Sequence, residues 1–330
     1  MKGLLTDDQQ KKIQKSTFLL TGGAGFIGSH LADALIENGA RHVVVVDDLS
    51  TGTIKNLEHL LHFPNFEFHN DSVSDENKII NLTKEIDFVF HQAALGSVPR
   101  SIATPEATHN ANVNGFFNVL NACRVNKVKR FIYASSSSVY GDDTLMPKME
   151  GFEGNLLSPY AATKRINETY AKVFSAVYGL ETVGLRYFNV FGPRQDPKGP
   201  YAAVIPLFIT AMLHNESPVI FGDGSTTRDF TFVKNVVNAN LLAVVSENDF
   251  SQSTIMNVAC GGTISLNKLF KKIAAITGFE QGVTYLDERK GDIKSSFADI
   301  SKVMETLKYL PEVDIDKGLE ITINWFKQNL

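Results

Sequence analysis

Short apolar runs alternate with helical stripes through the first half of the chain. Phe18 to Leu20 and His42 to Asp47 are brief and almost wholly apolar, the pattern of strands buried on both faces of a parallel sheet. Phe66 to His69, Asp87 to His91 and Arg130 to Ala134 repeat it. Between the runs, Phe26, Ile27, Leu31, Ala34 and Leu35 recur at helical spacing. Val113, Phe116, Phe117, Val119, Leu120 and Ala122 do the same within a predicted helix over 106–126. Strand and helix in alternation predict an α/β fold built on a doubly wound parallel sheet. In the second half the periodicity predicts helices over 204–212, 233–245, 264–276, 300–307 and 315–326, with a short strand at 219–221. A polar helix over 6–15, capped by Thr6 or Asp7, reads as a surface appendage.

The turn after the first strand carries Gly22, Gly25 and Gly28 at three-residue spacing and runs straight into a helix. Strand, glycine turn and helix are the context in which such spacing marks a dinucleotide site. Gly22 permits the tight turn, Gly25 the close approach of a pyrophosphate, and Gly28 the packing of helix on strand. The helix start at Phe26 and Ile27 offers N–H groups and a partial positive charge to the phosphates. Asp47 ends the second strand 19 residues after Gly28, where a carboxylate meets the ribose hydroxyls of the adenosine half. An acid there repels a 2′-phosphate, so NAD is expected over NADP. Asp71, just past the third strand, suits either the adenine amino group or a helix N-cap. The small residues Ala93 and Ala94 would let the backbone lie against a cofactor.

Bulk properties narrow the alternatives. The 330 residues suffice for one large α/β unit or two modest domains. A net charge of −4 gives no electrostatic case for nucleic acid. No apolar run reaches the ~18 residues of a membrane span, and the polar N-terminus has no signal-peptide core. Cys123 and Cys260 stand far apart and form no metal-type cluster. A cytoplasmic protein without metal is the expectation.

Further chemistry gathers at the end of the fifth run. Ser135 to Ser138 follow it, where ligands of open α/β sheets bind. Downstream, Ser158 and Pro159 read as N-cap and first position of a helix, which sets Tyr160 and Lys164 four apart on one face. A lysine ammonium beside a phenol favours the phenolate and so yields a general base near neutral pH.

These residues together resemble the extended short-chain dehydrogenases/reductases, and within them the nucleotide-sugar epimerases. The resemblance rests on Thr21 to Gly28, on Ser136 with Tyr160 and Lys164, on Leu185 to Arg194 and on Gly222 to Phe230. It covers the chain from about Thr17 to Phe326. It implies a Rossmann-type NAD domain over 17–188, joined by the helix near 233–247, and a smaller α/β substrate lobe over 189–330, after an appendage at 1–16. By the same resemblance Tyr160 takes the proton of the sugar 4-hydroxyl, Lys164 assists it and holds the nicotinamide ribose, and Ser136 or Ser137 bonds the same sugar oxygen. Asn112 resembles the helix asparagine near the cofactor. Asn189, Arg228, Arg289 and Asp292 match positions around the uracil-diphosphate portion, and Val204 opens a helix near the ligand. Lys234 stands where the family often has Asp, a change expected to alter only local helix capping. A homodimer, through the long helices over 106–126 and 159–178, is also implied.

The fold does not choose among epimerase, dehydratase, decarboxylase and reductase. Dehydratases and decarboxylases of this kind carry carboxylates before the Val-Tyr-Gly segment, and here Ser137 and Ser138 stand there. Without a carboxylate, elimination lacks its acid and base. C4 epimerisation through a transient 4-keto sugar needs only a base and a hydride acceptor. Ser296 falls at the family's size gate for the C2 substituent, and the loop with Ser97 and Arg100 resembles that of epimerases acting on N-acetylated sugars. UDP-N-acetylglucosamine is therefore the expected substrate. A UDP-uronate, whose carboxylate Arg100 could pair, and UDP-glucose are the rivals, with a net oxidoreductase or a non-catalytic binder more remote.

Overall fold

The structure is a computed structural model, and it describes residues 4–197, 202–288 and 294–330. Helix α1 (Asp7–Gln14) begins at a capping box between Thr6 and Gln9. It is followed by β1 (Thr17–Thr21), α2 (Phe26–Glu37), β2 (His42–Val46), β3 (Phe66–His69), α3 (Glu76–Leu82) and β4 (Phe88–His91). Next come α4 (Val98–Ala103), α5 (Pro105–His109), α6 (Gly115–Val125), β5 (Arg130–Ser136), α7 (Pro159–Tyr178) and β6 (Glu181–Tyr187). The remainder holds β7 (Val190–Phe191), α8 (Val204–Leu213), β8 (Val219–Phe221), β9 (Thr227–Arg228), β10 (Thr231–Phe232), α9 (Val233–Val245) and β11 (Thr254–Val258). It ends with β12 (Ile264–Ser265), α10 (Leu266–Thr277), β13 (Thr284–Leu286), β14 (Ser295–Ser296), α11 (Ser301–Leu307) and α12 (Ile315–Asn329).

The main sheet is parallel throughout, in the order β11-β6-β5-β4-β1-β2-β3. The order reverses between β1 and β4, which opens a crevice at the carboxyl ends of these two strands. Both faces are covered, as the apolar runs require. In β1, Phe18 and Leu20 enter the core shared with α2 and α9, while Leu19 enters the core beneath α3, α6 and α7. A third core, around Phe208, Ile209, Leu269, Leu319 and Phe326, belongs to the second half of the chain. Trp325 packs partly buried against it.

Three features depart from the periodicity. The expected helix over 106–126 is α5 and α6 joined by a π-turn at Asn110–Asn114. Residues 98–103, read as loop, form α4, with Ser97 as N-cap and a proline in the first turn. The expected helix over 264–276 starts two residues later, because Ile264 and Ser265 pair with β9. Helix α1 is docked rather than loose: Ile13 is buried, and Lys12 Nζ donates to Val245 O (3.4 Å) and Ser246 O (3.3 Å) at the end of α9. No helix among the described residues is long and apolar enough to cross a membrane.

Candidate active site

The crevice holds a cavity of about 620 Å³. Its floor is the glycine turn. Gly22 has φ +70°, and a Cβ there would lie 2.5 Å from Ala93 N. A Cβ on Gly28 would meet Gly22 O at 2.1 Å, so only glycine lets α2 sit this close to its strand. Gly25 caps α2 with no side-chain hydrogen bond, leaving the first-turn N–H groups of Phe26, Ile27 and Gly28 facing the cavity they line. Asp47 Oδ2 accepts from Ala24 N (2.9 Å) and Oδ1 from Leu49 N (2.8 Å). The carboxylate lines the cavity and keeps acceptor capacity for ribose hydroxyls. Burial pushes the Asp47 carboxyl up, and the N–H groups of Leu49 and Ala24 oppose the rise. Asp71 also lines the cavity; it pairs with Lys78 (2.9 Å), while Asp75 caps α3, which removes the N-cap alternative for Asp71. Ala93 and Ala94 form the wall beyond β4.

At the other end stand Ser136, Tyr160 and Lys164, all lining the cavity. Ser136 ends β5, and its Oγ accepts from Ser138 N (3.1 Å). Ser158 caps α7 by accepting from Ala161 N (3.1 Å), which aims the first turn, with Tyr160, at Ser136. Lys164 Nζ donates to Ala134 O (2.8 Å) and lies 5.9 Å from the centre of the Tyr160 ring. The electrostatics correct the expectation of a phenol lowered by lysine. Burial raises the Tyr160 phenol above its ordinary value, opposed only by a hydrogen bond from the Ser136 side chain. Burial also brings the Lys164 ammonium down to about 8, against the raising influence of Glu168. Burial disfavours both ionised forms.

Asn112 is a second correction. It is fully buried and absent from the cavity lining. Its Oδ1 accepts from Leu95 N (2.8 Å) and its Nδ2 donates to Leu95 O (3.2 Å) and Thr163 Oγ1 (3.1 Å). It therefore clamps the wall after β4 onto α7.

The substrate candidates divide. Asn189 lines the cavity, and its Nδ2 donates to Asp229 O (2.9 Å). Arg228 and Ser296 are brought side by side, paired in register between β9 and β14, but outside the cavity lining. Ser97, Arg100, Ser137 and Val204 also lie outside it. Ser97 accepts from Arg100 N (3.2 Å) as the α4 cap, Ser137 begins a 3₁₀ turn, and Val204 packs against the third core. Arg289 and Asp292 lie outside the described residues. Ser135 lines the cavity as its place at the end of β5 implies, and so do Asp48, Ser50, Thr51, Ser72, Gln92 and Tyr187, which the motifs do not single out. Each stands at or just past the carboxyl end of a sheet strand, a signal that was available.

The NAD dependent epimerase/dehydratase family matches residues 18–259. The chain belongs to this family. It is similar to a putative UDP-glucose 4-epimerase of Methanocaldococcus jannaschii, at 41% identity over 94% of this chain and 98% of the relative. It is also similar to the structure of a UDP-N-acetylglucosamine 4-epimerase from Methanobrevibacter ruminantium M1 in complex with UDP-N-acetylmuramic acid. That structure has 42% identity, a TM-score of 0.91, and coverage of 96% of this chain and 100% of the other. A UDP-glucuronic acid 4-epimerase from Bacillus cereus, in complex with UDP-glucuronic acid and NAD, shares 32% identity with a TM-score of 0.89, over 95% of this chain and 100% of the other. The chain is an NAD-dependent epimerase of the UDP-sugar 4-epimerase group, with the Rossmann-type sheet expected of it. The glycine floor, the open first turn of α2 and the Asp47 carboxylate in the cavity lining fit NAD.

Proposed function

We propose that the chain interconverts UDP-N-acetylglucosamine and UDP-N-acetylgalactosamine by epimerisation at C4. Tyr160 accepts the proton of the C4 hydroxyl, with the Ser136 side chain favouring the phenolate. NAD, when bound, supplies the acceptor for the C4 hydride and, in its oxidised form, a positive charge. A pocket that by itself disfavours phenolate thus gains a base chiefly when a cation shares it. Lys164 adds its own charge and holds the end of β5 through Ala134 O. The resulting 4-keto sugar turns within the site and takes the hydride back on its other face, with Tyr160 returning the proton. Ser137 and Ser138 offer no carboxylate for elimination, which favours this outcome over dehydration. We assign Asn189, Arg228 and Arg289 to the uracil-diphosphate portion, where guanidinium groups suit a diphosphate.

The observation that carries the choice of sugar is Ser296. Its small side chain stands in register with Arg228 between β14 and β9, and by the family resemblance this is the position that limits the size of the C2 substituent. The Methanobrevibacter relative, seen with an N-acetylated sugar nucleotide, supports the reading. A homodimer belongs to the same proposal: the outer faces of α6 and α7 expose Phe117, Tyr170, Val173 and Val177, and a second copy would cover them.

The test is turnover of purified protein with UDP-N-acetylglucosamine and no added cofactor, with products resolved by proton NMR. Appearance of the C4 epimer without change in nicotinamide absorbance supports the proposal. Conversion of UDP-glucose or UDP-glucuronate alone would overturn the choice of sugar.

A further inference from the structure

Ser136 and Tyr160 are joined by an irregular segment, residues 141–157, that reaches across to the other half of the molecule. Lys148 N donates to Phe297 O (2.8 Å), and Asp299 N donates to Lys148 O (2.9 Å). These contacts follow directly on Ser296. Beneath the crossing lies Asn257 on β11, with no exposed surface. Its Oδ1 accepts from the Tyr140 hydroxyl (2.7 Å), and its Nδ2 donates to Lys148 O (2.9 Å) and to Asp299 O (3.0 Å). Its backbone N–H donates to Glu150 Oε1 (2.6 Å). Val139, Tyr140, Phe188, Ala259 and Ala298 pack around the junction and keep water out.

One carboxamide thus satisfies three groups from three segments: the turn that begins at Ser136, the crossing segment, and the segment that carries Ser296. The match is specific. A neutral amide presents an acceptor and two donors, whereas a carboxylate would face two carbonyl oxygens with no proton to give.

We propose that Asn257 is a positioning residue for substrate selectivity: it locks the Ser136–Tyr140 turn to residues 296–299 and so sets the spacing between the reacting hydroxyls and the wall at the sugar's C2 substituent. This rests on the reading of Ser296 as that wall. Ser296 is also held by its short strand and by Asp229 N, which donates to Ser296 O (3.0 Å), and the residues after it by Lys148 N on Phe297 O (2.8 Å) and by Ala298 N on Asp229 Oδ2 (3.4 Å). Asn257 adds the tie that reaches Tyr140 in the catalytic turn.

The experiment compares kcat/KM for UDP-N-acetylglucosamine and UDP-glucose, which differ only at C2, in Asn257→Asp and Tyr140→Phe. The second variant removes one hydroxyl and retains the ring, over which Arg186 stacks at 4.8 Å. Displacement of one wall by about 1 Å is enough to change the ratio of the two values about tenfold, with KM for the acetylated sugar moving more than kcat. A purely structural role would lower Tm and reduce both sugars by the same factor, and that result overturns the proposal. If Asn257→Asp does not fold, Tyr140→Phe decides alone. Ser296→Tyr is the control for the wall itself. If it leaves the ratio unchanged, the reading of Ser296 fails. The coupling is then judged on the sugar the enzyme does accept: a KM raised in Tyr140→Phe with kcat kept supports it, and equal loss of both overturns it.

Discussion

The two ends of the cleft are built differently. The nucleotide end is made from backbone: Gly22, Gly25, Gly28 and Asp47 lie close together in sequence, and two of the glycines have no room for a Cβ. The sugar end is made from short strands and loops drawn from distant parts of the chain. Asn189 bonds to Asp229, Asp229 to Ser296, and Lys148 to Phe297 and Asp299. The first construction admits one solution, and it recognises the part of the ligand that all family members share. The second can change one side chain at a time while the frame persists. Relatives named for UDP-glucose, UDP-N-acetylglucosamine and UDP-glucuronic acid accordingly lie within 32–42% identity of this chain.

The largest effect should come from the residue where the two ends meet. Tyr160→Phe removes the base and should lower kcat by about a thousandfold, within the range of general base catalysis, while bound NAD, measured by absorbance after denaturation, is retained. An active Tyr160→Phe enzyme would displace the proton transfer to another group. Next, Gly28→Val attacks the nucleotide end alone. Its Cβ would strike Gly22 O, so NAD content and activity should fall together by about a hundredfold for every sugar tested. A variant that kept NAD and changed only sugar preference would erase the contrast drawn above.

Ser296→Tyr attacks the sugar end alone. It should lower kcat/KM for UDP-N-acetylglucosamine about tenfold more than for UDP-glucose, with NAD content unchanged, since a clash at one substituent spares the rest of the ligand. The smallest effect concerns the joint between the ends. His30 on α2 shares a hydrogen bond with Pro193 O (3.1 Å), and burial, aided by Arg194, lowers its imidazole from 6.5 to about 4. Burial likewise lowers His91 to about 3. Both rings stay neutral in the folded protein and charge readily in the unfolded one. Their contribution is full above pH 6.5 and is lost as the pH falls toward 4. Urea midpoints should therefore drop over that interval, and His30→Gln should flatten the drop.

Most of the frame was legible in advance, for local reasons. The strands β1, β2, β4 and β5 are short apolar runs that no other environment would bury on both faces. The glycine turn, Asp47 and the Ser158-capped start of α7 are each encoded within a few residues. Helix α4 was missed although its cap and proline were in view, because six residues are too few to show a period. Strand β11, which completes the sheet, went unassigned because Thr254 to Val258 mixes polar and apolar positions until β6 is beside it. The ionisation of Tyr160 differs from the sequence-based expectation for another reason: sequence shows the neighbouring charge but not the burial that raises the phenol.

By itself, then, the sequence determined the parallel sheet, the dinucleotide turn and the identity of the hydroxyls and ammonium at the end of β5. These depend on interactions among neighbours in the chain, or on steric limits belonging to single residue types. Only the tertiary structure decided that Asn112 braces a wall, that Arg228 and Ser296 stand side by side, and that Asn257 ties three segments together. Each of those depends on a hydrogen bond whose partners are brought within reach by packing elsewhere, and nothing in the spacing of the residues along the chain encodes that approach.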